Sequence, residues 1–307
     1  MADLGQVQER VRQLASDLNA VLLVHYYQTR EVQEVADHLG DSLDLALRAS
    51  RTDADVILFA GVDFMAETAK LVNPAKTVLH PNVMSKCPMA AMADPAALRR
   101  VKQLHPQIPV VAYVNTSAAV KAESDICCTS ANAVTVVEEL GAERVIFVPD
   151  TNLALHVDRN LPHVDVIPWP GYCHVHRDIK VEHILDLQER YPGAETLVHP
   201  EATPLVLMLA DHIGSTRGIA DRVSRSPAKV FIIGTEEGLT HKLRQLRPDA
   251  EFHVVPPGIC PNMKRITLNN VLESLERMET RVELEPELLQ RARLPVDRML
   301  DISRKPR

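Results

Sequence analysis

"PPGICPNMK", residues 256–264, places one cysteine, Cys260, in a turn stiffened by prolines on both sides, where neither helix nor strand is favoured. No second cysteine stands within a few residues of it. Two other stretches share the setting, "SKCPM" (85–89) and "GYCHV" (171–175), and each follows a β-like run and a turn signal. Cys87 and Cys173 are 86 residues apart, and Cys173 and Cys260 are 87 apart. Nearly equal spacing reads as three equivalent units, each delivering one cysteine.

The same period recurs upstream of each cysteine. Short apolar runs end in a polar residue three times: "VLLVHYY" (21–27), "VVAYVN" (110–115) and "TLVHPE" (196–201). His25, Tyr113 and His199 fall 88 and 86 residues apart, and Ser42, Ser130 and Thr216 each follow 17 residues later in a polar turn. A further strand pattern comes next ("VILFAGV", "RVIFVPD", "KVFIIGT"), then a helical stretch, a last strand and the cysteine turn. Strands alternating with helices imply parallel sheets covered by helices, with ligands beyond the carboxyl ends of the strands. The fold class is therefore α/β: three pseudo-threefold-related αβα sandwiches whose polar edges face a common axis and bring the three cysteines together.

Two readings attach to Ser42, Ser130 and Thr216. Each precedes an amphipathic run, so each can cap a helix start. The same helix starts attract carboxylate or phosphate, and the shared phase favours that use. Three converging thiolates also leave choices open. Structural zinc usually takes four protein ligands, often in close pairs, and no CxxC pair exists here. A [4Fe–4S] cluster held by three cysteines leaves one iron without a protein thiolate, free to act as a Lewis acid in a dehydration. Inert core cysteines are the third choice.

Bulk properties narrow the class. The 307 residues carry a formal charge of -7, with 46% hydrophobic and 24% charged residues, and the pI is about 6.0. This disfavours nucleic acid or an anionic membrane as partner. Five cysteines, an odd number, without a secretion signal argue against a disulfide framework. The start reads as an amphipathic helix and apolar runs such as "PLVLMLA" (204–210) are too short to cross a bilayer. A cytoplasmic protein is expected.

The chain resembles the quinolinate synthase family, the A protein of bacterial and archaeal NAD and pyridine nucleotide biosynthesis. The resemblance runs from about Val21 to Leu275. "HYYQTREVQEVADHLGDSL", "FAGVDFMAETAKLVNP", "YVNTSAAVKAESDICCTSANA", "PDTNLALHV", "PGYCHVH", "HPEATP", "GSTRG", "FIIGTEEGL" and "ICPNMKRITLNN" carry it, in family order. It implies a transferase that condenses iminoaspartate with dihydroxyacetone phosphate, releasing phosphate and water. It also implies one [4Fe–4S] cluster on Cys87, Cys173 and Cys260, with Cys127 and Cys128 as packing or pocket wall. An L-aspartate oxidase or dehydrogenase is the implied source of iminoaspartate.

Units of 1–86, 87–172 and 173–264 are expected, with 265–307 packing on the first. His25, Ser42, Tyr113, Val114, Asn115, Ser130, His174, His199, Pro200, Glu201 and Thr216 are the expected substrate contacts. Glu201 is the candidate general base, since it is the only carboxylate among the strand-end positions, with Tyr27, His25 and His199 as further proton carriers. Two alternatives keep a place: another cluster-dependent hydro-lyase on a small carboxylic acid, and a non-catalytic metal-binding protein.

Overall fold

Continuous apolar runs decide the sheets. "AVLLVH", strand β1 (Ala20–His25), buries every residue after the first, as a parallel strand covered on both faces does. In the computed structural model, which describes residues 4–304, β1 pairs in parallel with β2 (His38–Gly40) on one side and β3 (Val56–Ala60) on the other. Strand β4 (Thr77–Leu79) extends the sheet beyond β3. The second sheet repeats the order with β5 (Val110–Tyr113) between β6 (Ile126–Cys128) and β7 (Arg144–Val148), then β8 (Asp165–Pro168). The third sets β9 (Glu195–Val198) between β10 (His212–Ile213) and β11 (Val230–Gly234), then β12 (Glu251–Val254). Helices flank each sheet, among them Ser42–Ala49, Ala133–Leu140 and Thr216–Arg225 at matching positions. The architecture is three αβα units with four-stranded parallel sheets.

The short strands β2, β6 and β10 stand where the sequence suggests only a polar turn. At two or three residues they show no periodicity of their own. They exist because the first strand of each unit pairs with them, as in Leu23↔His38 and Val111↔Ile126. Cys127 and Cys128 consequently belong to β6, fully buried, rather than to the hydroxyl turn.

In every sheet the first strand is central, and its neighbours lie on opposite sides. This reversal opens a crevice at its carboxyl end. His25 ends β1, Tyr113 ends β5 and His199 follows β9. The first two units share one apolar core, running from Leu23 and Phe59 to Val111 and Phe147. The third has its own clusters around Phe231 and Ile232. Polar bonds also seat it on the others, including Gln33 Nε2 to the Gly238 carbonyl at 2.9 Å. Helix Leu268–Arg277 lies on the first unit against Leu4–Asp17, while Pro286–Arg304 packs against both Asp63–Val72 of the first unit and β6 of the second. No helix among the described residues is long and apolar enough to cross a membrane.

Candidate active site

The carboxyl ends of the three sheets surround one cavity. The first unit lines it with His25, Tyr27, Ser42 and Cys87, and the second with Tyr113, Asn115 and Ser130. Cys173, His174, His199, Glu201, Thr216 and Cys260 complete the wall. Val114 and Pro200 do not line it. Val114 is buried in the second unit's core, its N–H donating to the Cys128 carbonyl at 2.8 Å, and Pro200 is buried.

His25 and His199 occupy equivalent places and are held alike. The backbone N–H two residues on donates to Nδ1 in both: Tyr27 to His25 at 3.1 Å and Glu201 to His199 at 3.3 Å. With Nδ1 accepting, the ring proton of each sits on Nε2, and His199 Nε2 lies 3.2 Å from Ser130 Oγ. Burial lowers both pKa values to about 3, the His176 ring adding to the effect on His199. Both rings are therefore neutral hydrogen-bond donors near pH 7.

Glu201 is fully enclosed, and the structure rules it out as cap of the following short helix, Pro204–Leu207, whose N-cap position is Thr203. Burial acts to raise its pKa, but the His199 and His176 rings and hydrogen bonds from His176 and Tyr113 outweigh it and hold the carboxyl down at about 2. From Glu201 a chain of hydrogen bonds crosses to the first unit. Glu201 Oε2 lies 2.7 Å from His176 Nδ1, His176 Nε2 lies 2.8 Å from Thr235 Oγ1, and Thr235 Oγ1 lies 2.6 Å from the Tyr27 hydroxyl. Next to an ionised Glu201, Nδ1 of His176 carries the proton and Nε2 accepts from Thr235. Burial raises the Tyr27 hydroxyl well above its usual range. Its proton leaves only if passed along a relay of this kind.

Among the hydroxyls, capping is done by neighbours. Asp41 accepts from Asp44 N–H at the start of Ser42–Ala49, and Ser215 accepts from Gly218 N–H at the start of Thr216–Arg225. Asn132 occupies the N-cap position of Ala133–Leu140. The helices begin one or two residues away from where the sequence suggests, so Ser42, Ser130 and Thr216 face the cavity at helix starts instead of closing them. Asn115 Oδ1 is buried there without a partner, which a ligand donor would satisfy.

The five cysteines are free thiols. Cys87, Cys173 and Cys260 each sit in the loop after the last strand of a unit and reach the same cavity, whereas Cys127 and Cys128 do not line it. Burial pushes the three cavity thiols up, and for Cys87 and Cys173 neighbouring cysteines add to it. A bound cation would reverse that direction. Donor atoms of Cys173, His176 and Glu201 also lie within 4.8 Å of one another. Both nitrogens of His176 are already bonded, however, which leaves the thiols as the available soft donors. This donor set fits an iron–sulfur group held by three cysteines.

Residues 9–301 match the family model described as quinolinate synthetase A protein. The chain belongs to the quinolinate synthase family. It is 49% identical over 298 residues to quinolinate synthase 1 of Methanosarcina acetivorans, covering 97% of this chain and 98% of that protein. It is 50% identical over 295 residues to the quinolinate synthase of Methanosarcina barkeri, covering 96% and 97%. With the quinolinate synthase of Aquifex aeolicus identity is 44% over 308 residues, covering 98% and 95%. It is accordingly an enzyme chain, matched along nearly its whole length.

Two members of the hydrogen-bonded chain from Glu201, His176 and Thr235, do not stand out in the sequence. His176 follows Cys173 by three residues in the short helix His174–Arg177, which turns it inward to Glu201 while His174 borders the cavity. The second histidine of "CHVH" and the threonine ending "FIIGT" are the signals that point to them.

Proposed function

We propose that the chain condenses iminoaspartate with dihydroxyacetone phosphate into quinolinate, releasing phosphate and two waters without net oxidation, as a step of NAD biosynthesis. The observation that carries this reading is the delivery of three thiols, one from each unit, to a cavity that also holds a charged Glu201 and three hydroxyls at helix starts. Cys87, Cys173 and Cys260 would hold a [4Fe–4S] cluster, which when bound supplies a Lewis acid for loss of hydroxide.

The chain's own residues do the rest. Ser42, Ser130 and Thr216, with the N–H groups of their helix starts, take the two carboxylates and the phosphate. His25 and His199 donate from Nε2 to substrate oxygens as neutral groups, and the Asn115 amide takes a substrate donor. Tyr27 removes a proton from substrate carbon as its own hydroxyl proton passes to Thr235 and that of Thr235 to His176 Nε2. Glu201 then stabilises the imidazolium formed, as a carboxylate does behind a catalytic histidine. Tyr113, which donates to Glu201, orients the carboxylate. His174 lies at the cavity edge beside Cys173 and contacts substrate from there. Iminoaspartate is short-lived in water, so an L-aspartate oxidase or dehydrogenase is the class of enzyme that would supply it.

The test is an anaerobic incubation of iron- and sulfide-reconstituted protein with both substrates. Quinolinate and phosphate should appear in equal amounts. Quinolinate without phosphate release, or no product from iron-loaded protein, would overturn the reading.

A further inference from the structure

Each cysteine loop is fastened to its own unit by the same pair of hydrogen bonds. A carboxylate just beyond the third strand accepts the N–H of the cysteine itself: Asp63 Oδ1 from Cys87 at 3.1 Å, Asp150 Oδ2 from Cys173 at 3.0 Å and Glu236 Oε1 from Cys260 at 3.1 Å. A backbone N–H beside that carboxylate donates to the carbonyl two residues before the cysteine. The pairs are Asp63 to Ser85 at 2.9 Å, Thr151 to Gly171 at 2.8 Å and Glu237 to Gly258 at 2.7 Å. The approach is close enough that a Cβ on Gly171 would stand 2.3 Å from the Pro149 carbonyl oxygen, and Gly258 takes a φ of +34°.

The carboxylates are themselves pinned. Asp63 also accepts from Phe64 N–H at 2.9 Å, Asp150 from Leu153 N–H at 2.7 Å and Glu236 from Gly238 N–H at 2.7 Å. Lys264 Nζ, 2.9 Å from Glu236, bonds also to the Tyr27 carbonyl. Loop closure alone would be served by the backbone bond. A second bond, repeated in all three units and aimed at the ligating residue, points to the metal group.

We propose that Asp63, Asp150 and Glu236 are positioning residues for the iron–sulfur cluster, each fixing one ligating cysteine by accepting its backbone N–H. The inference rests on the assignment of Cys87, Cys173 and Cys260 as cluster ligands. Two consequences follow. The three thiols keep their geometry before the cluster arrives, as outer partners do for other metal ligands. Three backbone N–H groups are also turned away from the cluster sulfurs. Hydrogen bonds to those sulfurs raise the reduction potential, so withholding them favours the oxidised, electron-poor state suited to a Lewis acid.

The experiment uses full-length, anaerobically reconstituted protein and the variants Asp63→Ala and Asp63→Asn. Asp63 is the least enclosed of the three, and a melting curve of each variant checks that it is folded. Two quantities are read: the rate of iron release to a chelator and the cluster reduction potential. Asp63→Ala should release iron about 10–100-fold faster and show a raised potential, while Asp63→Asn, whose Oδ1 still accepts from both Cys87 and Phe64, should release iron at close to the wild-type rate. Wild-type release and potential in Asp63→Ala, or an Asn variant as impaired as the Ala variant, would overturn the proposal. Wild-type protein that takes up no iron would instead remove the cluster assignment and this inference together.

Discussion

Thr235→Val isolates the relay with the least disturbance. Valine matches threonine in shape and removes only the hydroxyl that joins Tyr27 at 2.6 Å to His176 at 2.8 Å. Thr235 is fully buried and does not line the cavity, so substrate contacts stay in place. The stability cost is that of leaving His176 Nε2 buried without a partner, about 1–3 kcal/mol, which a chain with so extensive a core tolerates. The catalytic cost is the loss of a positioned base, about 10²–10⁴-fold. Quinolinate formation measured at matched iron content should therefore show kcat lowered at least about a hundredfold with KM within a few-fold. Thr235→Ser should recover most of it. Glu201→Gln, at the far end of the chain, should fall by a similar factor, because an amide does not stabilise the imidazolium. A Thr235→Val enzyme that turns over within a few-fold of wild type would refute the relay and return the base role to Glu201 acting directly on substrate.

Two further outcomes follow from the site. Ser130→Ala and Thr216→Ala should raise KM about tenfold, the loss of one hydrogen bond to a charged group, while leaving the melting temperature nearly unchanged, because Ser215 caps the helix at Thr216 and Ser130 is not at the N-cap position of its own, which Asn132 occupies; a drop in stability without a change in KM would restore the capping role. Stability should fall with acid, read as melting temperature from pH 7.5 to 5. His25 and His199 titrate near 3 when folded against an ordinary 6.5, so the unfolded chain binds more protons and each costs about 2 kcal/mol at pH 5. Glu201, lowered to about 2, acts in the same direction at lower pH, its contribution being present above about 4.5 and lost towards 2. A flat profile across that range would mean the two rings are not held neutral.

Much of this was legible in the sequence because repetition multiplies weak signals. One serine before a helix says little, but three at a common offset from three strand ends locate a cavity edge, and three cysteines at nearly equal spacing locate its centre. Elements without their own periodicity were not legible. Strands β2, β6 and β10 take their form from the strand they pair with, and the last helix, Pro286–Arg304, spans two units by packing that no local pattern announces. His176 and Thr235 were hidden for another reason. Each is ordinary beside its sequence neighbours and gains meaning only from a partner in another part of the chain, 25 residues away for His176 and Glu201 and 208 for Tyr27 and Thr235. The acids at Asp63, Asp150 and Glu236 do recur with the repeat, but strand-end acids also serve as helix caps, as Asp150 does, and a cap needs no cysteine.

The proposed four-iron cluster takes one thiolate from each of the three units. Iron and sulfide counted per chain after anaerobic reconstitution test it most directly, across the five single variants Cys87→Ser, Cys127→Ala, Cys128→Ala, Cys173→Ser and Cys260→Ser. About four of each are expected in wild type and in the Cys127 and Cys128 variants, with the cluster lost or broken down in the other three. A full cluster in the Cys87, Cys173 or Cys260 variant, or its loss on changing Cys127 or Cys128 in a folded protein, would contradict it.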